Sequence, residues 1–327
     1  MMMEQNPIVS VIMNCYNSSQ FLKEAIDSVY AQTFKDWEII FWDNVSTDNS
    51  AEIAKSYDSK LRYFKGEKTV PLGAARNLAL NKVSGEYVAF LDCDDIWVPD
   101  KLAKQADIFS RDNRVGFIYT NFFVSNEIQK SKTISDRIPQ PAGNIFRTML
   151  ARYSIGLLTT LIRKNALLSA GELFDESLSY AEEYDLFMRM LYSAKAAYLF
   201  EPLAVYRVHQ NMSSANRVEG NYKEVLYCLE KFRKLESNFD EKYRCEIEEC
   251  KMRSSYYSAI RFFYNNEPKL AAEYLKNYKY RSFKMFLYYF AAKMPSFLWR
   301  AAFNLLELAK NIAIKCESLI MGSLRNK

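Results

Sequence analysis

The chain has 327 residues, 49% hydrophobic and 25% charged, which is the balance of a globular protein with room for one large domain or two ordinary ones. Its net charge of +5 is uneven: residues 1–220 hold 24 basic against 27 acidic groups, whereas 274–327 hold ten Lys/Arg and only Glu307 and Glu317. Six cysteines without metal-type spacing read as reduced thiols rather than a disulfide scaffold, and the polar start Met1–Asn6 with a short apolar run after it does not read as a secretory signal.

The first 120 residues alternate strand and helix. Ile8–Met13 predicts a strand, and Ser18–Ala31 predicts a helix with Leu22, Ile26 and Val29 at helical spacing. Trp37–Trp42 predicts a second strand, and Ser46–Tyr57 a helix whose Asp48 favours the positive end of the dipole. A short strand over Leu61–Phe64, a helix over Leu72–Val83 and a strand over Glu86–Leu91 follow. This rhythm argues for an α/β fold with a mainly parallel sheet flanked by helices, whose ligands bind beyond the carboxyl ends of the strands. Asn14–Asn17, Asp43-Asn44 and Asp92–Asp95 stand at three such ends and are expected to make one site.

From Val115 the pattern is mixed, with short strands over Val115–Tyr119 and Leu157–Ile162, a loop around Pro139–Gly143 and a helix over Ala181–Tyr192. Tyr198–Ser214 reads as a strand and then a loop over Gln210–Ala215 that would order over a bound ligand. Beyond Gly220 the chain reads as nearly continuous helix, including a hairpin of Tyr256–Phe263 and Leu270–Leu275 about Asn265-Asn266-Glu267-Pro268. The expected division is an α/β domain over 1–218 and an all-α region over 219–327.

The run Phe90-Leu91-Asp92-Cys93-Asp94-Asp95-Ile96-Trp97 carries the clearest chemistry. A buried apolar strand ends in three carboxylates within four residues, and burying ionised groups uncompensated costs several kcal/mol. A strand edge opening into a cleft, with a divalent cation on the oxygens, resolves that cost; Mg2+ or Mn2+ suits such ligands and keeps positions open for phosphates. Taken alone, the stretch also reads as an acidic turn between strand and helix.

Four more blocks stand around it in order. They are Val9-Ser10-Val11-Ile12-Met13-Asn14-Cys15-Tyr16-Asn17, Glu38-Ile39-Ile40-Phe41-Trp42-Asp43-Asn44-Val45-Ser46-Thr47-Asp48, Gly73-Ala74-Ala75-Arg76-Asn77, and Phe174-Asp175-Glu176 with Ala181-Glu182-Glu183-Tyr184-Asp185-Leu186. Over about residues 7–214 this order resembles the inverting family 2 glycosyltransferases, which have the nucleotide-sugar GT-A fold. The resemblance implies that Asn14, Tyr16, Asn17, Asp43, Arg76, Asp92 and Cys93 surround the nucleotide. It implies that Asp94, with Asp92 and His209, the only histidine, holds Mn2+ or Mg2+. Glu183 stands where relatives have the general-base Asp, with Glu182 as its alternate.

Three departures matter. Asn44 replaces a second Asp; Val45 replaces a Gly, so the turn is expected to avoid a positive φ; and Glu183 carries its oxygen one methylene further out than Asp. The implied reaction moves a sugar from a nucleotide-diphosphate donor, UDP by family tendency, to a glycan or polyprenyl-linked glycan in surface polysaccharide synthesis. The alternative is a catalytically weak nucleotide-binding relative acting as an interaction protein through its helical region. A nucleotidyltransferase is disfavoured because Asn14–Ser19 contains neither Gly nor Lys.

The tail from about 274 combines many aromatics with Lys276, Lys279, Arg281, Lys284, Lys293 and Arg300. Its longest apolar run, Met285–Ala292, is far below the roughly 18 residues of a membrane span. A basic, aromatic amphipathic segment points to peripheral attachment at the cytoplasmic leaflet, with a solvated basic face or a homo-oligomer interface as alternatives. No nucleic-acid module is recognisable.

Overall fold

The computed structural model describes residues 7–210, 220–295 and 298–309. The chain divides into two compact units. The first comprises 1–216 with 230–246, the second 217–229 with 247–327. The segment 230–246 thus belongs with the α/β unit, beyond the boundary expected at 218.

In the first unit the chain runs β1 (Val9–Cys15), α1 (Ser19–Tyr30), β2 (Trp37–Asp43), α2 (Ser50–Lys55), β3 (Leu61–Lys65), α3 (Leu72–Leu80) and β4 (Tyr87–Phe90). It continues through β5 (Ile96–Trp97), α4 (Lys101–Arg111), β6 (Val115–Asn126), β7 (Ser131–Ile134), α5 (Phe146–Ala151), β8 (Leu161–Arg163), α6 (Lys164–Ser169), α7 (Glu182–Ser193) and β9 (Lys195–Val208). Helices α8 (Gly220–Phe232), α9 (Phe239–Lys242), α10 (Arg244–Tyr264), α11 (Pro268–Leu275) and α12 (Phe283–Lys293) follow, with further helix over 299–309.

One nine-stranded sheet has the order β3-β2-β1-β4-β8-β6-β9-β5, with β7 paired to β6. Strands β1 to β4 are mutually parallel, and β2 is buried at every position, as expected for a strand covered on both faces. Beyond β4 the sheet is mixed: β8 is antiparallel to both β4 and β6, whereas β9 is parallel to β6. Two expected elements are corrected. Leu157–Ile162 is a 3-10 turn over Leu157–Thr159 followed by β8, because Thr159 and Thr160 hydroxyls bond back to the Gly156 and Leu157 carbonyls. The strand at Val115 runs on to Asn126, since β9 pairs along it through several register shifts.

The second unit packs around Phe262, Phe263, Leu275, Tyr288 and Phe303. Glu307 accepts hydrogen bonds from the Tyr288 and Tyr264 hydroxyls at 2.5 and 3.2 Å, which lets two tyrosines sit in or beside that core without orphaned O–H groups. Among the described residues, no helix is long and apolar enough to cross a membrane.

Candidate active site

Strands β1 and β2 are in parallel register, with Cys15 opposite Asp43, so the turns that follow them lie side by side. Asn17 takes a left-handed conformation (φ 51°), which Asn tolerates, and its side-chain oxygen accepts the Thr47 N–H at 2.8 Å. Its own N–H donates to the Ser46 hydroxyl at 3.1 Å. Asp48 accepts from Ser19 N–H (2.9 Å) and Ser50 N–H (3.0 Å), at the starts of α1 and α2. Although burial opposes it, these bonds hold its carboxyl at about 2.

Asp43 is fully buried. One oxygen accepts the Ser46 N–H at 2.7 Å and the other the Tyr63 hydroxyl at 2.5 Å. The carboxylate expected to read the base therefore shapes the turn, as does Asn44, whose amide bonds Val70 in both directions at 2.8 and 3.1 Å. The same closure corrects the expectation for Val45. Bonding Ser46 N–H back to Asp43 reverses the chain at residue 45, and Val45 stands at φ 67° despite its β-branch. Tyr16, by contrast, is 54% exposed and offers a ring at the strand ends.

The carboxylate loop begins where the sheet bond from Leu91 N–H to the Ile12 carbonyl ends. Cys93 is buried, and its thiol donates to the Asn14 carbonyl at 3.3 Å, so it packs the loop against β1. The Cys93 thiol also draws Cys15 down to about 7, against the effect of burial. Asp95 is buried and accepts the Arg207 N–H at 2.9 Å, tying the loop to the end of β9; burial, then Asp94 and Asp92, push its carboxyl up. Asp94 meets His209 there, Oδ2 to Nε2 at 3.0 Å, with the imidazole against the Phe21 ring at 4.7 Å. The buried Nδ1 of His209 has no hydrogen-bond partner.

An oxygen and an imidazole nitrogen converging in this way fit a divalent ion that keeps positions for phosphate oxygens. No group of three or more His, Cys, Asp or Glu converges among the described residues. Asp92, expected as a further ligand, lies instead 3.4 Å from Arg76.

Arg76 does not point outward as a helix arginine usually does. It is buried, donates to Glu182 Oε1 at 3.0 Å, and lies over the Phe174 ring at 5.3 Å. It thus joins α3, the carboxylate loop and the start of α7, the third, fourth and fifth blocks of the sequence. Asn77 completes the junction by donating to the Phe174 carbonyl (2.9 Å) and accepting the Phe174 N–H (3.0 Å). Gly73 lets the helix start approach this junction closely, because a Cβ would lie 3.1 Å from the Asp175 carbonyl oxygen, tighter than an ordinary contact.

The two glutamates at the start of α7 have different surroundings. Glu182 is paired with Arg76, while no hydrogen bond or ion pair is formed by Glu183 among the described contacts. Burial, with Glu182 and Asp92 adding and Arg76 opposing, pushes Glu183 up to about 8. Two further participants carry no motif in the sequence. The Tyr153 hydroxyl is buried and unpartnered, its ring edge-on to Tyr184 at 5.1 Å, and Glu183 and Glu182 push it well above its ordinary value in addition to burial. Lys231, from the returning segment, donates to Asp175 (2.7 Å) and Asp185 (3.0 Å), while Arg189 bonds Asp185 at 2.7 Å. These contacts anchor the helix that carries both glutamates.

The family model for glycosyl transferase family 2 matches residues 10–170. The UDP-Glc:alpha-D-GlcNAc-diphosphoundecaprenol beta-1,3-glucosyltransferase WfgD of Escherichia coli is 31% identical over 185 residues, covering 56% of this chain and 70% of that protein. Among solved structures, residues 1–349 of S. aureus TarS in complex with UDP superpose with a TM-score of 0.64 at 18% identity, covering 93% of this chain and 91% of that one. The mannosyltransferase PcManGT of Pyrobaculum calidifontis, in complex with GDP-Man and Mn2+, gives a TM-score of 0.58 at 16% identity over 94% of this chain and 87% of its own. Those two likenesses share the fold, a mixed sheet with flanking helices followed by a helical region. With the motif order, the fold and the relatives in agreement, the chain belongs to glycosyl transferase family 2 and is a glycosyltransferase.

Proposed function

We propose that this glycosyltransferase moves a sugar, with inversion, from a UDP-class nucleotide-diphosphate donor to a hydroxyl of a lipid-linked glycan in surface polysaccharide assembly. The observation that carries the reading is the contrast at α7: Glu182 is held by Arg76, and Glu183 is left unpaired with its carboxyl pushed up to about 8. A carboxylate of raised basicity suits a general base acting near neutral pH. Its oxygen takes the proton of the acceptor hydroxyl. The acceptor oxygen, freed of that proton, forms a bond to the anomeric carbon as the bond to the diphosphate breaks on the opposite face, its electron pair leaving with the phosphate.

Arg76 keeps Glu182 and Asp92 from spreading apart, Asp95 fixes the carboxylate loop to β9, and Tyr16 supplies an aromatic surface for the nucleotide. Asp94 and His209 would hold Mn2+ or Mg2+, which supplies positive charge against the diphosphate. The relative WfgD is named for a diphosphoundecaprenol acceptor and a UDP-glucose donor, which supports a membrane-linked acceptor here. The protein then works at the inner face of the cell membrane. The loop expected to cover the donor, Gln210–Ala215, lies outside the described residues from 211 on.

The test is calorimetric titration of UDP with and without Mn2+ on the wild type, Asp94→Ala and Glu183→Gln, with sugar transfer measured in parallel. Mn2+-dependent binding lost in Asp94→Ala, with binding kept but transfer lost in Glu183→Gln, is the expected result. Binding indifferent to Mn2+ and to Asp94→Ala overturns the metal assignment. Full transfer by Glu183→Gln overturns the base.

A further inference from the structure

Helix α12 is built the wrong way round for a water-facing surface. Met285, Tyr288, Ala291 and Ala292 are buried, while Phe283, Phe286 and Phe290 stand 76, 40 and 56% exposed on the opposite side. Positions 283, 286 and 290 share one face of a helix. Tyr280, 80% exposed, stacks on Phe286 at 6.5 Å, and Phe286 on Phe290 at 6.3 Å, so these three rings make a continuous apolar strip, and Phe283 is exposed on the same helix face. Leu298, Leu305 and Leu308, in the stretch that follows, are exposed as well.

Charge says what covers the strip. Lys276, Arg281 and Lys293 are exposed around it, Lys279 lies over the Tyr280 and Tyr289 rings at 4.9 Å each, and Lys284 lies over the Tyr256 ring at 4.5 Å. Between 274 and 309 the sole carboxylate is Glu307, already bonded to Tyr288 and Tyr264. A second copy of this chain packed on the strip would bring like charges together across the interface, which costs rather than gains. Anionic headgroups pair with the lysines while the rings enter the acyl boundary. The helix, 11 residues or about 16 Å long, cannot cross the roughly 30 Å hydrocarbon core and would lie in the plane of the interface.

We propose that Tyr280, Phe283, Phe286 and Phe290, flanked by Lys276, Lys279, Arg281 and Lys293, form the face by which this protein inserts into an anionic lipid surface. The inference rests on the membrane-linked acceptor of the proposed function only for its biological setting, and vesicle binding is read without donor or acceptor.

The experiment is co-sedimentation of the full chain with phosphatidylcholine vesicles, with and without phosphatidylglycerol, followed by UDP titration of the same preparations. Wild type is expected to sediment with the anionic vesicles. The combined Phe283→Ser, Phe286→Ser, Phe290→Ser variant should lose about tenfold or more of that affinity. Lys276→Glu with Lys293→Glu should remove the preference for anionic over neutral vesicles. Both variants should keep wild-type thermal melting and UDP binding. Wild type indifferent to phosphatidylglycerol, or a triple-serine variant that sediments like wild type, overturns the proposal. So does self-association abolished by the serines without vesicle binding, which would show that a second copy covers the strip. Vesicle binding retained in a protein that fails to bind UDP would overturn the proposed function and leave the insertion face standing.

Discussion

The two sides of the cleft treat their polar groups in opposite ways. On the side of the β1 and β2 turns, Asp43, Asn44, Asn17 and Asp48 have their oxygens taken by backbone N–H groups and hydroxyls. On the side of α7, Glu182 Oε2, Asp185 Oδ1, the Tyr153 hydroxyl and, across the carboxylate loop, His209 Nδ1 are buried without partners. Buried polar atoms are rarely left this way, because each costs about 1–3 kcal/mol of desolvation. The first side is mostly a satisfied scaffold, with Asn14 Nδ2 at the end of β1 buried without a partner, and the other holds more such atoms, poised for groups that arrive with the reactants.

The sharpest way to test that contrast is on the poised side. Glu183→Gln should lower kcat about a thousandfold while leaving UDP affinity within error, as expected when a general base is lost. Equal loss of binding would mean that Glu183 belongs to the scaffold. Removing the scaffold's own cation should instead hit stability. Arg76→Met leaves Glu182 buried without its partner and should cost about 3–5 kcal/mol in urea unfolding. A loss below about 1 kcal/mol would mean that the pair holds little together.

The pH dependence should separate the two sides next. Glu183 is raised from an ordinary 4.5 to about 8, so kcat/KM should climb about tenfold per pH unit below 8 and level off above it. That limb should be missing in Glu183→Gln. The sign for stability is opposite: the folded state holds this proton more tightly than the unfolded chain. Its stabilising contribution is therefore full below pH 4.5 and is lost as pH rises toward 8. The smallest effect falls on the finished side. Val45→Gly should relieve the left-handed backbone and raise stability by about 1 kcal/mol, read as a higher Tm.

What the sequence made legible, and what it did not, follows the same divide. The blocks containing Asn17, Asp43, Arg76, Asp94 and Glu183 were readable because each is a local run of residues at a strand end or helix start. Their neighbours in space were not. Tyr63 on Asp43, Phe174 under Arg76, Tyr153 near Glu183 and Lys231 on Asp185 come from 20 to 98 residues away and carry no periodic signal. The same distance hid the partner of Arg76, since Glu182 lies 106 residues further on and carries no signal at the helix of Arg76. Val45 was misjudged because loss of Gly says that a positive φ is costly, not that the turn can do without it. Leu157–Ile162 failed for a local reason: its threonines offer hydroxyls to the backbone, which closes a 3-10 turn where apolar content alone predicts a strand.

The pairs that define the cleft also join distant parts of the chain. Arg76 and Glu182 are 106 residues apart, and Asp94 and His209 are 115. Closing such loops is among the most demanding steps in ordering a chain, because the entropy cost is met before the contact forms. The β1–β2–β3 ladder, by contrast, pairs residues about 22–28 positions apart and closes much shorter loops. Donor or ion binding at Asp94 and His209 would then report that folding is complete, and by mass action would draw the last half of the sheet into place.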